Sequence, residues 1–293
     1  MRATGAVLAI IPFVCLACEH VNVSTGPPPS GSPSAPAAPT IIDRGLADTS
    51  CGGDAVFPDL TGGWAFMIET RDHRRGVDEV DQVEVGSRYG LARICQDVDR
   101  VTVEMLLCTY AQSPIRHDDG QCAAYLPLEN LLIVLETQTM TGQLDRLGLG
   151  AELILRGWEE RWGYVDDGDD ERFDHDGDGA SGATLVSDMA PSQVRHVRRT
   201  TRLSMSIEVI DDTQLAGDVT HTIEETTLDP DDFGGDVLGR RALDGAVRLV
   251  RVDGSAGTPT LDRDGDGVVR CAELGVLLGR ALPSPAAGGA CTR

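Results

Sequence analysis

Apolar residues at every second position, repeated along most of the chain, constrain this sequence more than any other feature. Leu203, Met205, Ile207 and Val209 alternate with polar neighbours, as do Trp64, Phe66 and Ile68, and Val101, Val103, Met105 and Leu107. A period of two puts successive side chains on opposite faces of a strand, so one face buries while the other meets solvent. Leu131–Met140, Glu152–Val165, Val219–Thr227 and Ala246–Val252 are further strand candidates. Turn-rich segments at Pro114–Gly120, Thr141–Gly150, Asp166–Gly182 and Asp229–Gly235 separate them. With no long amphipathic helix between the strands, a parallel α/β fold is disfavoured. The pattern predicts a mainly β chain, an antiparallel β-sandwich or barrel.

The N-terminus reads as an export signal. Arg2 precedes a short apolar run, Ala6–Ala17, too short to cross a bilayer comfortably. The run ends in Cys15-Leu-Ala-Cys18, which resembles a bacterial lipobox, with Cys15 where a leucine is usual. That resemblance implies cleavage before Cys18 and acylation of its sulfur, and so a membrane partner through a lipid anchor. A plain secretory signal is the alternative. Ser24–Thr40 is rich in Pro, Ser, Gly and Ala and reads as a tether that cannot build a core. Glu19 stands where an aspartate would favour inner-membrane retention, so the resemblance points to the outer membrane of a cell envelope.

Six cysteines follow Cys18: Cys51, Cys95, Cys108, Cys122, Cys271 and Cys291. An even number in an exported chain favours three disulfides. Proximity in sequence suggests Cys108–Cys122 and Cys271–Cys291, leaving Cys51–Cys95. All 25 basic residues are arginine, which excludes Schiff-base lysines, P-loop lysines and Ser-Lys pairs. A net charge of −22 argues against nucleic acid or an anionic membrane surface as partner.

Asp262–Glu273, D-R-D-G-D-G-V-V-R-C-A-E, resembles the twelve-residue calcium loop of EF-hand proteins. On that resemblance Asp262, Asp264 and Asp266 supply carboxylates, Val268 its backbone carbonyl and Glu273 a closing carboxylate. Gly267 makes the sharp turn and the apolar Val269 packs inward. Hard oxygen donors in this number suit Ca²⁺. Arg270 departs from the pattern at position nine. The linker-like stretch Ser255–Leu261 precludes an entering helix, so the likeness is to dockerin-like variants with an exiting helix alone, here carried by Leu274, Leu277, Leu278 and Ala281. Asp174, Asp176 and Asp178, with Gly179, repeat the first half of the loop and define a second candidate metal site. Ala180 would take the place of the backbone ligand there. Ser181 and Leu185 break the pattern's second half.

The expected organisation is a signal over 1–18, a disordered tether over 19–50 and a β domain over 51–253. A calcium loop, exiting helix and tail follow over 254–293. Catalytic chemistry is not visible. His73, His117, His175, His196 and His221 show no ligand or catalytic spacing, although His221 would face the core side or line a cavity. Gly179-Ala-Ser181-Gly-Ala183 lies in an acidic loop without the following helix that a nucleophilic serine needs. Leu60-Thr-Gly62-Gly-Trp64 resembles the first-strand G-x-W of lipocalins, which implies a barrel carrying an apolar ligand. Trp158 and Trp162 should share one face of a strand. Three readings follow: a calcium-binding, non-enzymatic envelope lipoprotein; a lipocalin-like carrier; and an exported hydrolase whose triad is assembled in space.

Overall fold

The computed structural model describes residues 44–47, 51, 56–75, 81–116, 121–164, 173–189, 193–228, 239–283 and 291. The expected signal, Cys18 and the tether up to residue 43 lie outside the described residues. The strands in chain order are β1 (Gly45–Ala47), β2 (Gly62–Arg75), β3 (Asp81–Asp97), β4 (Arg100–Gln112), β5 (Ile115–Arg116), β6 (Cys122–Ala123) and β7 (Tyr125–Pro127). After the helix α1 (Glu129–Val134) come β8 (Gln138–Leu144), β9 (Glu152–Trp162), β10 (Ala183–Ser187), β11 (Val194–Val209), β12 (Gln214–Thr227), β13 (Arg241–Arg251) and β14 (Val268–Arg270).

Eight strands close into an antiparallel barrel in the order β12-β13-β2-β3-β4-β8-β9-β11, with β11 pairing back to β12. The choice between sandwich and barrel is therefore settled as a barrel, which leaves no long edge exposed. Where β9 ends, opposite Arg199, β10 takes its place along β11 from Val197, and β7 extends that flap.

The alternating residues point into the barrel as expected, except Leu107, which the bulge between β3 and β4 shifts into the outer cluster. Trp64, Phe66, Ile68, Val103, Met105, Leu153, Leu155, Trp158, Met205, Ile207, Leu215 and Leu249 are among those packed in one interior cluster. Phe66 meets Trp158 edge-on at 6.3 Å between ring centres. The interior is crowded enough to require glycine at residue 90, where a Cβ would lie 2.1 Å from the Leu106 carbonyl and 2.5 Å from the Phe66 ring. A bulge in the β3–β4 pairing falls at the same point.

A second apolar cluster covers the outside of the wall. Ala65, Met67, Tyr89, Leu91 and Leu106 project outward and pack under Leu131, Leu132 and Leu135 and under Cys271, Leu274, Leu277 and Leu282. This explains one departure from the sequence reading. Leu131–Met140 is not one strand: Glu129–Val134 is a helical turn whose Leu131, Leu132 and Leu135 fall on the covered face, while Ile133 and Val134 stay exposed. Only from Gln138 does the chain rejoin the barrel.

The exiting helix is also different from expectation. The chain forms a 3-10 helix over Cys271–Val276 and then turns on itself to Leu282. Gly275 and Gly279 weaken helix propagation, and Gly279 adopts φ +73°. The disulfides are Cys51–Cys95, Cys108–Cys271 and Cys122–Cys291. The first is the expected pair, but the other two cysteine couples exchange partners, because the C-terminal segment packs on the outer cluster, which brings Cys271 to Cys108 on β4 and Cys291 to Cys122 on β6. Gly45–Ala47, inside the expected tether, is a strand paired with Val268–Arg270.

Candidate metal centre

Two acidic loops adopt one local conformation. In the first, the carboxylate of Asp262 accepts the amides of Gly265 at 2.8 Å and Gly267 at 3.0 Å, and Asp266 accepts that of Val268 at 2.8 Å. In the second, Asp174 accepts the amides of Gly177 at 2.7 Å and Gly179 at 2.8 Å, and Asp178 accepts that of Ala180 at 2.8 Å. All four glycines have positive φ, between 72° and 92°. The D-x-D-G-D-G spacing dictates this: glycine reaches the left-handed region without a Cβ penalty, and each turn brings its amide back to the first aspartate. As a result Asp262, Asp264 and Asp266 bring carboxylate oxygens within 4.8 Å of one another, and so do Asp174, Asp176 and Asp178.

Around the first loop the expected ligands are only partly gathered. Glu273 stands outside the group of three aspartates. Its two oxygens accept the amides of Arg263 at 3.0 Å and Arg270 at 2.9 Å, joining the two ends of the loop. The Val268 carbonyl, the expected backbone ligand, accepts Arg270 Nη1 at 3.4 Å. Arg270 Nη2 donates to Asp266 at 2.5 Å, and its Nη1 lies 3.6 Å from Asp264. The guanidinium thus spans three of the oxygens assigned to a cation, and with the Val268 amide it holds Asp266 below the ordinary carboxylate range. Val269 is half-buried against the outer cluster, as position eight requires. The three carboxylates fit a hard divalent ion, with Arg270 as a tethered rival for two of them.

The second loop sits differently. Asp176 is 3% exposed. One of its oxygens accepts the Thr184 amide at 2.6 Å at the start of β10; the other has no hydrogen-bond partner. Thr184 Oγ1 donates to Asp178 at 2.7 Å. Burial raises the Asp176 pKa, whereas the Gly179 amide leads the contacts that lower that of Asp174. His175 ties the loop to the end of β9 by accepting the Gly163 amide at 2.9 Å.

The histidines do not assemble a hydrolytic site among the described residues. His73 is exposed on β2, His196 lies on β11, and His175 serves its loop; His117 is outside the described residues. His221 is buried inside the barrel, as its alternation with Val219 and Ile223 implied. There the inward rows turn polar: Thr70 and Asp72 succeed Ile68 on β2, and Thr201 and Arg199 succeed Leu203 on β11. Arg199 pairs with Glu225 and Arg241 with Asp72. Thr70, Asp72, Glu84, Tyr110, Arg199, His221 and Arg241 line a cavity of about 30 Å³, too small for a drug-sized ligand. Neither His221 nitrogen has a hydrogen-bond partner, so no base–nucleophile pair is formed. Burial and the nearby Arg88, Arg199 and Arg241 hold its pKa well below the usual value. Burial opposes ionisation of Glu225, but Arg199 and Arg241 outweigh it and lower its pKa.

At the other end, Trp64 plugs the barrel. Its indole N–H donates to the Leu60 carbonyl at 2.9 Å, and the Arg251 guanidinium lies 5.3 Å from the ring centre. Arg251 also donates to the carbonyls of Asp59 and Asp212, both at 2.8 Å. Trp158 and Trp162 share the inward face of β9 and are fully packed. The polar inner layer escaped the sequence reading, although it had a signal: the period of two continues past Ile68 and Leu203 with polar residues at the inward positions. No protein family and no characterised protein matches this chain in sequence.

Proposed function

We propose that this chain is a calcium-binding, non-enzymatic lipoprotein of a bacterial cell envelope, anchored through Cys18, in which Ca²⁺ orders the Asp262–Glu273 loop against a β-barrel. The observation that carries this reading is the convergence of the Asp262, Asp264 and Asp266 carboxylates within 4.8 Å, on a loop whose Gly267 turns at φ +78°. The loop is well placed to have a structural effect. Cys271, within the loop, and Leu274, just beyond it, are fully buried on the barrel's outer wall, and β14, also within the loop, pairs with β1. Ordering the loop therefore fastens the C-terminal segment over the outer apolar cluster. Three disulfides in the chain accord with an exported protein.

The carrier reading draws support from the closed barrel and from Trp64 at its plugged end. The apolar half of the interior is, however, filled by side chains, with Trp64, Phe66 and Ile68 all at zero exposure.

Calorimetric calcium titration with thermal melts decides the matter, on the wild type, Asp264→Asn and Glu273→Gln. Extracellular sites of this kind bind at about 10⁻⁴–10⁻³ M. At tenfold saturation one site adds about 1.4 kcal/mol of stability. For a domain of this size that is a rise of about 3–6 °C in Tm. Asp264 is exposed and holds little of the backbone, so Asp264→Asn should leave the calcium-free melt unchanged and weaken binding. A wild type whose melt and heat do not respond to millimolar calcium overturns the proposal.

A further inference from the structure

We propose that Asp174, Asp176 and Asp178 form a second calcium site, at the opposite end of the barrel from the first. The decisive residue is Asp176. Its carboxylate is 3% exposed, and while one oxygen accepts the Thr184 amide, the other lies buried with no donor. Buried carboxylate oxygens are almost always satisfied, because removing one from water is costly unless a hydrogen bond or a cation replaces the water. The neighbouring carboxylates add to the cost by repulsion. Asp174 and Asp178 each bring a carboxylate oxygen within 4.8 Å of one from Asp176.

The two loops differ in the cation each has at hand. Arg270 reaches Asp264 and Asp266 in the first loop. No arginine among the described residues is paired with Asp174, Asp176 or Asp178. Three carboxylates around one point, one of them buried and half-satisfied, form a hard-oxygen set suited to Ca²⁺ and not to a soft or nitrogen-seeking metal. The absence of a glutamate at position twelve does not leave the loop open. Thr184 of β10 closes it, its amide on Asp176 and its hydroxyl on Asp178. A cation bound here would sit where β10 continues the barrel wall past the end of β9.

The test is the number of calcium ions bound by the mature chain, measured by calorimetry and by equilibrium dialysis, for wild type, Asp176→Asn, Asp264→Asn and the double variant. Asparagine keeps the shape and can still accept the Thr184 amide. The expected counts are two, one, one and none. The calcium-free Asp176→Asn protein should melt no lower than the calcium-free wild type, since a buried unpaired charge has been removed. If Asp176→Asn retains the wild-type count, the proposal is wrong. If it loses one ion while Asp264→Asn loses none, this site stands and the reading of the Asp262 loop fails. A fall in the calcium-free melt with an unchanged ion count would make Asp176 a structural hydrogen-bond acceptor and overturn the site.

Discussion

Removing the Cys108–Cys271 disulfide should cost about 4 kcal/mol, and removing Cys122–Cys291 as well should cost more than the two single losses together. The two bridges span 163 and 169 residues and join nearly the same two stretches of chain. A lone cross-link of that span restricts the unfolded chain by about 5 kcal/mol at 25 °C. While its neighbour is intact, each bridge closes a much shorter circuit: 14 residues from Cys108 to Cys122, then 20 back from Cys291 to Cys271. A loop of about 34 residues corresponds to about 4 kcal/mol. Either bridge therefore costs about 4 alone, both together cost about 9, and the excess over additivity is about 1 kcal/mol. A loss of 9 kcal/mol would consume most of a domain's typical 5–15 kcal/mol. The assay is urea unfolding followed by tryptophan fluorescence, on the two Cys→Ala pairs and their combination. Alanine is chosen because Cys108 and Cys271 are fully buried. The m-value should rise in the combined variant as the unfolded chain expands. Single losses below about 1 kcal/mol, or strict additivity, would refute the argument that the bridges act through nested loops in the unfolded state.

Two further outcomes are expected. Arg270→Gln should tighten calcium binding about two- to fivefold, by removing a guanidinium that occupies Asp264 and Asp266; calorimetry with unchanged or weaker affinity would refute this. Because the folded pKa of His221 lies well below that of the unfolded imidazole, the unfolded chain takes up a proton that the folded barrel refuses. Stability from this group is complete above about pH 6.5 and falls with pH below it, by up to about 1.4 kcal/mol per pH unit. His221→Gln should remove that part of the slope between pH 7.5 and 5.5 in urea midpoints; parallel slopes for the two proteins would show that His221 is not the linked group.

Strand positions and their inward faces were legible from alternation, because burial on one side of a strand writes a period of two into Trp64, Phe66 and Ile68 or Leu203, Met205 and Ile207. What alternation does not encode is closure. The barrel depends on β13 meeting β2, a long-range pairing set by length and twist that a sandwich could satisfy differently. Cysteine pairing was misread because nearness in sequence stood in for nearness in space. Cys271 reaches Cys108 on β4 because Leu274 and Leu277 pack into the outer cluster, a tertiary choice with no local mark. The loops themselves were readable, since D-x-D-G-D-G fixes its own turns. The separation of Glu273 from the aspartates and the place taken by Arg270 depend on side-chain directions that spacing leaves open.

The arrangement of charge within the barrel bears on where function can reside. Apolar side chains fill the end plugged by Trp64, and ion pairs such as Arg199–Glu225 and Arg241–Asp72 occupy most of the other. A buried pair of this kind loses several kcal/mol if one partner is removed, so it resists rearrangement around a guest. The lumen is thus committed to holding the wall together. The clustered carboxylates lie instead on the connections: the loop between β9 and β10, where no arginine among the described residues is paired with them, and the loop between β13 and the C-terminal segment, where Arg270 reaches two of the three. They lie at opposite ends, since β9 ends opposite Arg199 in the polar layer while β13 runs out at Arg251 beside Trp64. In a chain of net charge −22, calcium at both positions would relieve repulsion where loops must fold back onto the barrel. It would do so under the conditions outside a cell, where millimolar calcium keeps weak sites filled. Calcium on this view is a fastening at each end of a rigid barrel, and any partner would meet the surface those fastenings hold in place.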